Sequence, residues 1–280
     1  MTTTTQRRII DTFQTKATID LAEEVAFRVK FLQDYLTHSQ RNGFVLSISG
    51  GQDSALAGRL CQMAVEKQRE RKGGACVFIA LRLPYGVQRD EEDAQRALHF
   101  IAPDKTYTAN IQPAVDSAVA AFEEATGRKM TDYNKGNQKA QERMTVHYRF
   151  AYQFHALVVG TDHAAEAVWG FFTKYGDGGV DLTPLSGLTK QQGRSLLSYL
   201  GADERISTKP PTADLLDTKP GQLDEDELSM SYPVIDAYLA GHEISPDAAQ
   251  RIEERYQATE HKRQVPVSPF DTWWRTSEVR

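Results

Sequence analysis

The sequence of 280 residues predicts an α/β fold, a doubly wound, mostly parallel sheet with helices on both faces. Short apolar runs of strand character alternate with helical stretches from residue 43 to residue 161. The segments richest in glycine and in chemically active side chains begin where those runs end, and ligands of such sheets sit outside the carboxyl ends of the strands. No internal repeat and no linker divides the chain, so one domain over 1–280 is expected. The polar start, MTTTTQRR, reads as a flexible tail over 1–18.

A helix is expected over 19–40, with Leu21, Val25, Phe27, Phe31, Leu32 and Tyr35 on overlapping apolar faces and Gly43 ending it. GFVLSIS (43–49) is a strand, followed by GGQDS and a helix through ALAGRLCQMAVEKQRE. ACVFIALRLP (75–84) is the second strand, after Gly73 and Gly74. A helix over 90–101 leads to a third strand near 106–111, and a further helix ends at Gly127. A long helix, about 137–155, feeds a fourth strand over 156–161. The chain then becomes loop-rich, with helices resuming near 190–200, 224–240 and 246–261. Residues 172–180 and 205–225, rich in glycine, proline and short polar residues, are expected to act as lids over a site.

Composition narrows the function. Hydrophobic residues at 40% and charged residues at 25% are ordinary for a globular chain with a sizeable core. A net charge of -5 argues against a nucleic-acid binder relying on a general basic field. No apolar run approaches the ~18 residues of a membrane span, and the start lacks the apolar core of a secretory signal. Cys61 and Cys76 form neither a disulfide framework nor a metal-ligand spacing, and read as inert thiols. The cytoplasm is the expected compartment.

The strongest chemical signal is SISGGQDS, residues 47–54. A strand that turns through Gly-Gly into a helix aims several backbone N–H groups at one point, which suits phosphate. Gly50 and Gly51 remove side chains that would hold a phosphate away. Ser54 suits a helix start, as a cap or as a phosphate ligand. Asp53 would repel phosphate unless a cation lay between them, which makes it a candidate magnesium ligand. The segment is neither a Walker A loop nor a GxGxxG turn. It resembles the pyrophosphate loop of the ATP pyrophosphatase superfamily, whose members adenylate an oxygen and then displace AMP.

Further segments choose among those members. LRLPYGVQRDEEDA, KGNQKAQERM, GTDHAAEAVWGFFTKYGDGGVDLTPL, KPPTADL, DEDEL and TEHKRQVPVSPFDTWW, in this order, are similar to the ammonia-dependent NAD synthetases. The resemblance covers nearly the whole chain from Gly43 and implies the adenine-nucleotide α-hydrolase-like fold. It implies an amide-forming ligase that uses ATP, deamido-NAD+ and ammonia, with Mg2+ as cofactor. ATP would be held by Ser47, Ile48, Ser49, Gly50, Gly51, Gln52, Asp53 and Ser54, by Arg82 and Gln88, and by Thr161, Lys190 and Thr212. Magnesium would be held by Asp53 and Glu166, both placed after strand ends. Deamido-NAD+ would contact Lys174, Asp181, His261 and Lys262, with Gln141 at a further substrate position. Asp177 falls at the position that handles incoming ammonia, and Lys174 and Lys190 would share in the chemistry. His163 is expected to order its loop. A homodimer with substrate near the subunit boundary is also implied.

The sequence departs from the family pattern at three places. Ser47 replaces a glycine at the entry to the phosphate loop, Gly187 stands where an arginine is usual, and Gln141 replaces a substrate-binding arginine. Lys139 and Arg143, two positions away, should point to the side of the helix opposite Gln141. Competing readings are a tRNA thiolase and a nonenzymatic nucleotide-binding homologue. The first would need exposed catalytic cysteines and a basic RNA surface. A glutamine-dependent enzyme would need a second domain for which 280 residues leave no room, so free ammonia is the expected nitrogen source.

Overall fold

The structure, a computed structural model, describes residues 3–87, 90–212, 215–219 and 221–275. The chain opens with α1 (Thr4–Phe13) and α2 (Leu21–His38) and enters the sheet at β1 (Gly43–Ser47). α3 (Gln52–Lys72) leads to β2 (Val77–Arg82), and α4 (Glu91–Ile101) to β3 (Lys105–Thr108). α5 (Gln112–Thr126) and α6 (Asp132–Phe154) precede β4 (Leu157–Val158). Then follow α7 (Ala164–Trp169), α8 (Lys190–Tyr199), α9 (Glu204–Ser207), α10 (Asp224–Leu228), α11 (Tyr232–Leu239), α12 (Pro246–Ala258) and α13 (Glu260–Arg263).

The strands run parallel in the order β3-β2-β1-β4, so the chain moves outward one way from β1 and returns to its other side. That reversal of order beside β1 is where such sheets open a crevice. Alternation in β1 and β2 divides the core. Phe44, Leu46, Phe78 and Ala80 pack against α2 and α3, while Val45, Ile79 and Leu81 pack against Val115 of α5 and Val146 of α6. Burial on both faces explains why these strands read as continuous apolar runs. β3 is an edge strand, and all four of its residues are exposed.

A second cluster, away from the sheet, joins α1, α7, α11 and α12 through Ile9, Trp169, Tyr238, Leu239 and Ile252. It corrects the expected flexible tail. Thr3 caps α1 by accepting from the Gln6 N–H at 3.0 Å, Ile9 is fully buried, and Gln6 Nε2 donates to the carbonyls of Tyr238 at 2.8 Å and His242 at 3.0 Å. The helix has too little apolar surface to declare itself and is held by a partner more than 200 residues away.

Other boundaries also move. The third strand is Lys105–Thr108, and the fourth keeps two residues before Val159 pairs with Leu182. The long helix starts at Asp132, where the Thr131 side chain caps it, earlier than 137. The stretch 224–240 is two helices, because Ser229 is left-handed (φ 52°) and Ser231-Tyr232-Pro233 starts a new helix with proline in its first turn. The stretch 246–261 likewise divides at Thr259. Gly187 is left-handed, at φ 81°, and a Cβ there would lie 3.1 Å from the Phe13 carbonyl oxygen. An arginine at this place would strain both the turn and the seat of α1. No helix among the described residues is long and apolar enough to cross a membrane.

Candidate active site

The phosphate loop lies between β1 and α3, at the carboxyl edge of the sheet. Gly51 is the residue before the first turn of α3 and supplies no side-chain cap, so the orphan N–H groups of that turn remain available to an anion. Gly50 has φ 86°, and a Cβ there would stand 2.6 Å from the Ala94 nitrogen of α4. Ser49 Oγ lies 3.2 Å from Ser54 Oγ and accepts from the Gly51 N–H at 3.3 Å, which closes the loop on itself. Ser47, Ile48, Ser49, Gly51, Gln52, Asp53 and Ser54 line a cavity of about 690 Å³.

On one wall of that cavity ionisable groups crowd together. Lys190, at the start of α8, donates to Asp53 Oδ2 at 2.7 Å. His163 Nε2 lies 3.3 Å from Lys190 Nζ, 3.7 Å from Asp53 Oδ1 and 3.5 Å from Glu166 Oε1. Burial and the Lys190 charge push His163 down to about 3, so its ring is neutral. Burial raises Asp53, but the Lys190 charge and hydrogen bond outweigh it and hold the carboxyl below its ordinary range. Glu166 has no such compensation: burial and then the Asp53 charge push it well above the carboxylate range. Burial lowers Lys190, yet Asp53 and Glu166 more than offset that and keep it protonated.

This donor set fits a magnesium ion. One ligand atom each from Asp53, His163 and Glu166 lie within 4.8 Å of one another, and the two carboxylates offer the hard oxygens that magnesium takes. Glu166 in particular is a buried carboxylate whose charge a divalent cation would balance. Asp224, pushed up to about 6 by burial against the pull of Lys190, stands beside this group and accepts from Tyr232 O–H at 3.4 Å. Lys190 Nζ in turn sits 5.0 Å from the centre of the Tyr232 ring.

Several of the remaining expected residues reach the cavity. Thr161, Glu166, Asp177, Lys190, Thr212 and Lys262 all line it. Asp177 accepts from the Thr173 N–H at 2.9 Å, and it is open to the cavity while the protein around it raises its carboxyl above the ordinary range. Asp162, which the sequence did not single out, is pushed up to about 8 by burial and then by the Asp177 charge. Its Oδ1 is buried without a partner.

Other expected residues do not line the cavity. Lys174 Nζ donates to the His261 carbonyl, so these two hold each other. Asp181 accepts from the Val158 N–H at 2.7 Å and from Tyr148 O–H at 3.2 Å, bracing β4. Arg82 binds Glu91 through two contacts, 2.7 and 2.5 Å, and holds that carboxyl down to about 2. Gln88 lies outside the described residues. Gln141 is on α6 but not on its cavity face, whereas Lys139 and Arg143 are. The two basic residues do sit opposite Gln141; it is their side that faces the cavity.

Described parts of both expected lids are tied to the body of the protein. Lys139 Nζ donates to the Leu215 carbonyl at 2.8 Å and to Asp217 at 2.6 Å, and Lys135 meets Asp217 at 2.8 Å. Lys209 pairs with Asp90 at 3.0 Å and Asp93 at 2.8 Å, while its carbonyl accepts from Gln52 Nε2 at 2.7 Å. Lys262 Nζ donates to the Gly170 and Phe172 carbonyls, each at 2.8 Å, bracing the entry to 172–180. Sequence reasoning set Lys139 and Arg143 aside as facing away from Gln141 and gave Lys209 no role, although KGNQKAQERM and KPPTADL contain them.

The NAD synthase family pattern matches residues 24–266. The chain is 57% identical over 272 residues to an NH(3)-dependent NAD(+) synthetase of Bacillus licheniformis, covering 97% of this chain and 100% of that one. Among solved structures it is similar to the NAD+ synthetase of Burkholderia pseudomallei, with a TM-score of 0.80, 42% identity and coverage of 93% and 96%. It is also similar to an NMN synthetase from Francisella tularensis, with a TM-score of 0.79, 33% identity and coverage of 91% and 100%. A sheet with this order, a glycine loop on its central strand and a match across almost the full length agree: the chain belongs to the NAD synthase family.

Proposed function

We infer that the protein is an NH3-dependent NAD+ synthetase. A carboxylate oxygen of the nicotinate group of deamido-NAD+ attacks the α-phosphorus of ATP, the bond to the bridging oxygen breaks, and pyrophosphate leaves. Ammonia then attacks the acyl carbon and AMP departs, giving the amide of NAD+. The observation that carries this reading is the convergence of the phosphate loop, Lys190 and the Asp53–Glu166 pair on one cavity. The tRNA-thiolase and nonenzymatic readings are not favoured beside relatives of such high identity.

The N–H groups at the start of α3 bind phosphate oxygens, and Lys190 offsets charge that builds on the oxygens of the attacked phosphoryl group. Mg2+, held by Asp53 and Glu166, supplies further charge neutralisation when bound. Asp177 binds ammonium and accepts a proton from it, a task suited to a carboxyl raised toward neutrality by its surroundings. His163, neutral and wedged between Lys190 and both carboxylates, keeps their spacing. The reading includes a homodimer with substrate near the subunit boundary. It also includes the cytoplasm, where ATP is supplied.

The test is AMP and pyrophosphate release from ATP with ammonium and magnesium, in the presence of deamido-NAD+, of nicotinate mononucleotide, or of neither. AMP formation that depends on deamido-NAD+ and yields NAD+ is expected. Turnover of the mononucleotide alone would move the protein toward the NMN-forming relative, and AMP release independent of either acid would overturn the reading.

A further inference from the structure

ATP and a dinucleotide acid are both polyanions, so one cavity that takes both needs two sets of cationic contacts. The phosphate loop, Lys190 and Lys209 make one set. A second pair of cations stands elsewhere on the wall, on the C-terminal helices. Arg255 of α12 and Lys262 of α13 both line the cavity, next to Phe171 and Phe172.

We propose that Arg255 is a phosphate-binding residue that holds the pyrophosphate bridge of the dinucleotide acid beside Lys262. Nothing in the sequence motifs assigns it a role, and the inference rests on the synthetase reading above. Three observations support it. Arg255 is exposed to the cavity and, among the described residues, makes no ion pair and no side-chain hydrogen bond. Its neighbour carries the same charge: burial and then Arg255 loosen the proton on Lys262, and the nearby Asp177 and Glu227 only partly offset this. Lys262 already spends two donors on the Gly170 and Phe172 carbonyls, which fixes its position and leaves the planar guanidinium as the group free to grip two phosphate oxygens at once.

The fold places Arg255 there by a close contact. Ile252 buries one face of α12 against α7, and Thr259 at its end abuts Gly170. Gly170 is left-handed, at φ 65°, and a Cβ there would lie 2.4 Å from Thr259 Cβ. Only a glycine lets α12 seat this closely at the cavity mouth.

The experiment compares full-length wild type, Arg255→Gln and Arg255→Lys, with KM measured separately for deamido-NAD+ and for ATP. Arg255→Gln is expected to raise KM for deamido-NAD+ by about 10- to 100-fold, the loss of one charge-assisted contact, and to leave KM for ATP within about twofold. Arg255→Lys should recover part of the loss, since it restores the charge and not the fork. Added salt should weaken deamido-NAD+ binding more steeply in wild type than in Arg255→Gln. An unchanged KM for deamido-NAD+ means a solvated surface arginine, and a rise in KM for ATP instead means a contact to the triphosphate; either overturns the proposal. If wild type fails to make NAD+, the synthetase reading fails by itself, and calorimetric binding of deamido-NAD+ to the three proteins still decides the role of Arg255.

Discussion

Around Asp53, ionisable side chains meet one another across 2.7–3.7 Å, whereas around Lys174 and Lys262 they donate to backbone carbonyls. The first arrangement holds charge under tension. Two carboxylates, one of them raised by the other, share a single lysine and a neutral histidine. The second arrangement uses charge as mortar, tying 170–174 to the C-terminal helices. Chemistry is expected at the first and positioning at the second, because only an unsatisfied charge has something to gain from a ligand.

Substituting the two carboxylates tests that contrast most sharply. Asp53→Asn should lower turnover by about 10²–10³-fold or more, even at saturating magnesium, with little change in far-ultraviolet circular dichroism. Glu166→Gln should lose turnover on a similar scale and yet melt higher, by about 1 kcal/mol of stability, because it removes a carboxyl whose ionisation burial and Asp53 oppose. Melting curves at neutral pH check this. A Glu166→Gln protein that melts lower would show that Glu166 is compensated by something other than a bound cation.

A smaller effect concerns His147, which lines the cavity from α6. Its Nε2 is buried without a partner, and burial and then Arg143 hold the ring down to about 4. The unfolded chain binds that proton near pH 6.5 and the folded chain only near 4, so the unfolded state holds more protons in between. Stability should therefore fall as pH drops from about 6.5 to 4, by up to about 3 kcal/mol from this group, and then level off. Urea titrations across that range should show a shallower slope for His147→Gln than for wild type. Equal slopes would mean that His147 is solvated and belongs with the mortar side of the comparison.

The smallest expected effect is at Gln141. Since the cavity face of α6 carries Lys139 and Arg143 instead, Gln141→Arg should leave both KM values within about twofold in a monomer. Tighter deamido-NAD+ binding that appears only at protein concentrations where two copies associate would show that position 141 reaches into the neighbouring site.

The same contrast explains what the sequence revealed. The phosphate loop was legible because one short segment, strand to glycines to helix, carries all of its own geometry. Asp53 and Glu166 could be paired on paper because both follow strand ends, and parallel strands bring those ends together. Lys209, Lys139 and Arg255 depend on packing between segments distant in the chain, so nothing local announced them. The helix over Thr4–Phe13 was read as a tail for that reason: its buried face exists only once α11 is beside it. On α6 the opposition of Gln141 to Lys139 and Arg143 was readable from helical spacing, but which side met the cavity was not.

Gly50 deserves a different kind of caution in mutational work. Its missing side chain leaves room for the backbone of α4, 2.6 Å from where a Cβ would stand. Replacing Gly50 with alanine would unseat α4 and twist the loop before any nucleotide arrived, so lost activity in that variant reports architecture. Gly51, whose Cβ would meet nothing nearer than Ser49 Oγ at 3.4 Å, is the position at which an added methyl probes the ligand.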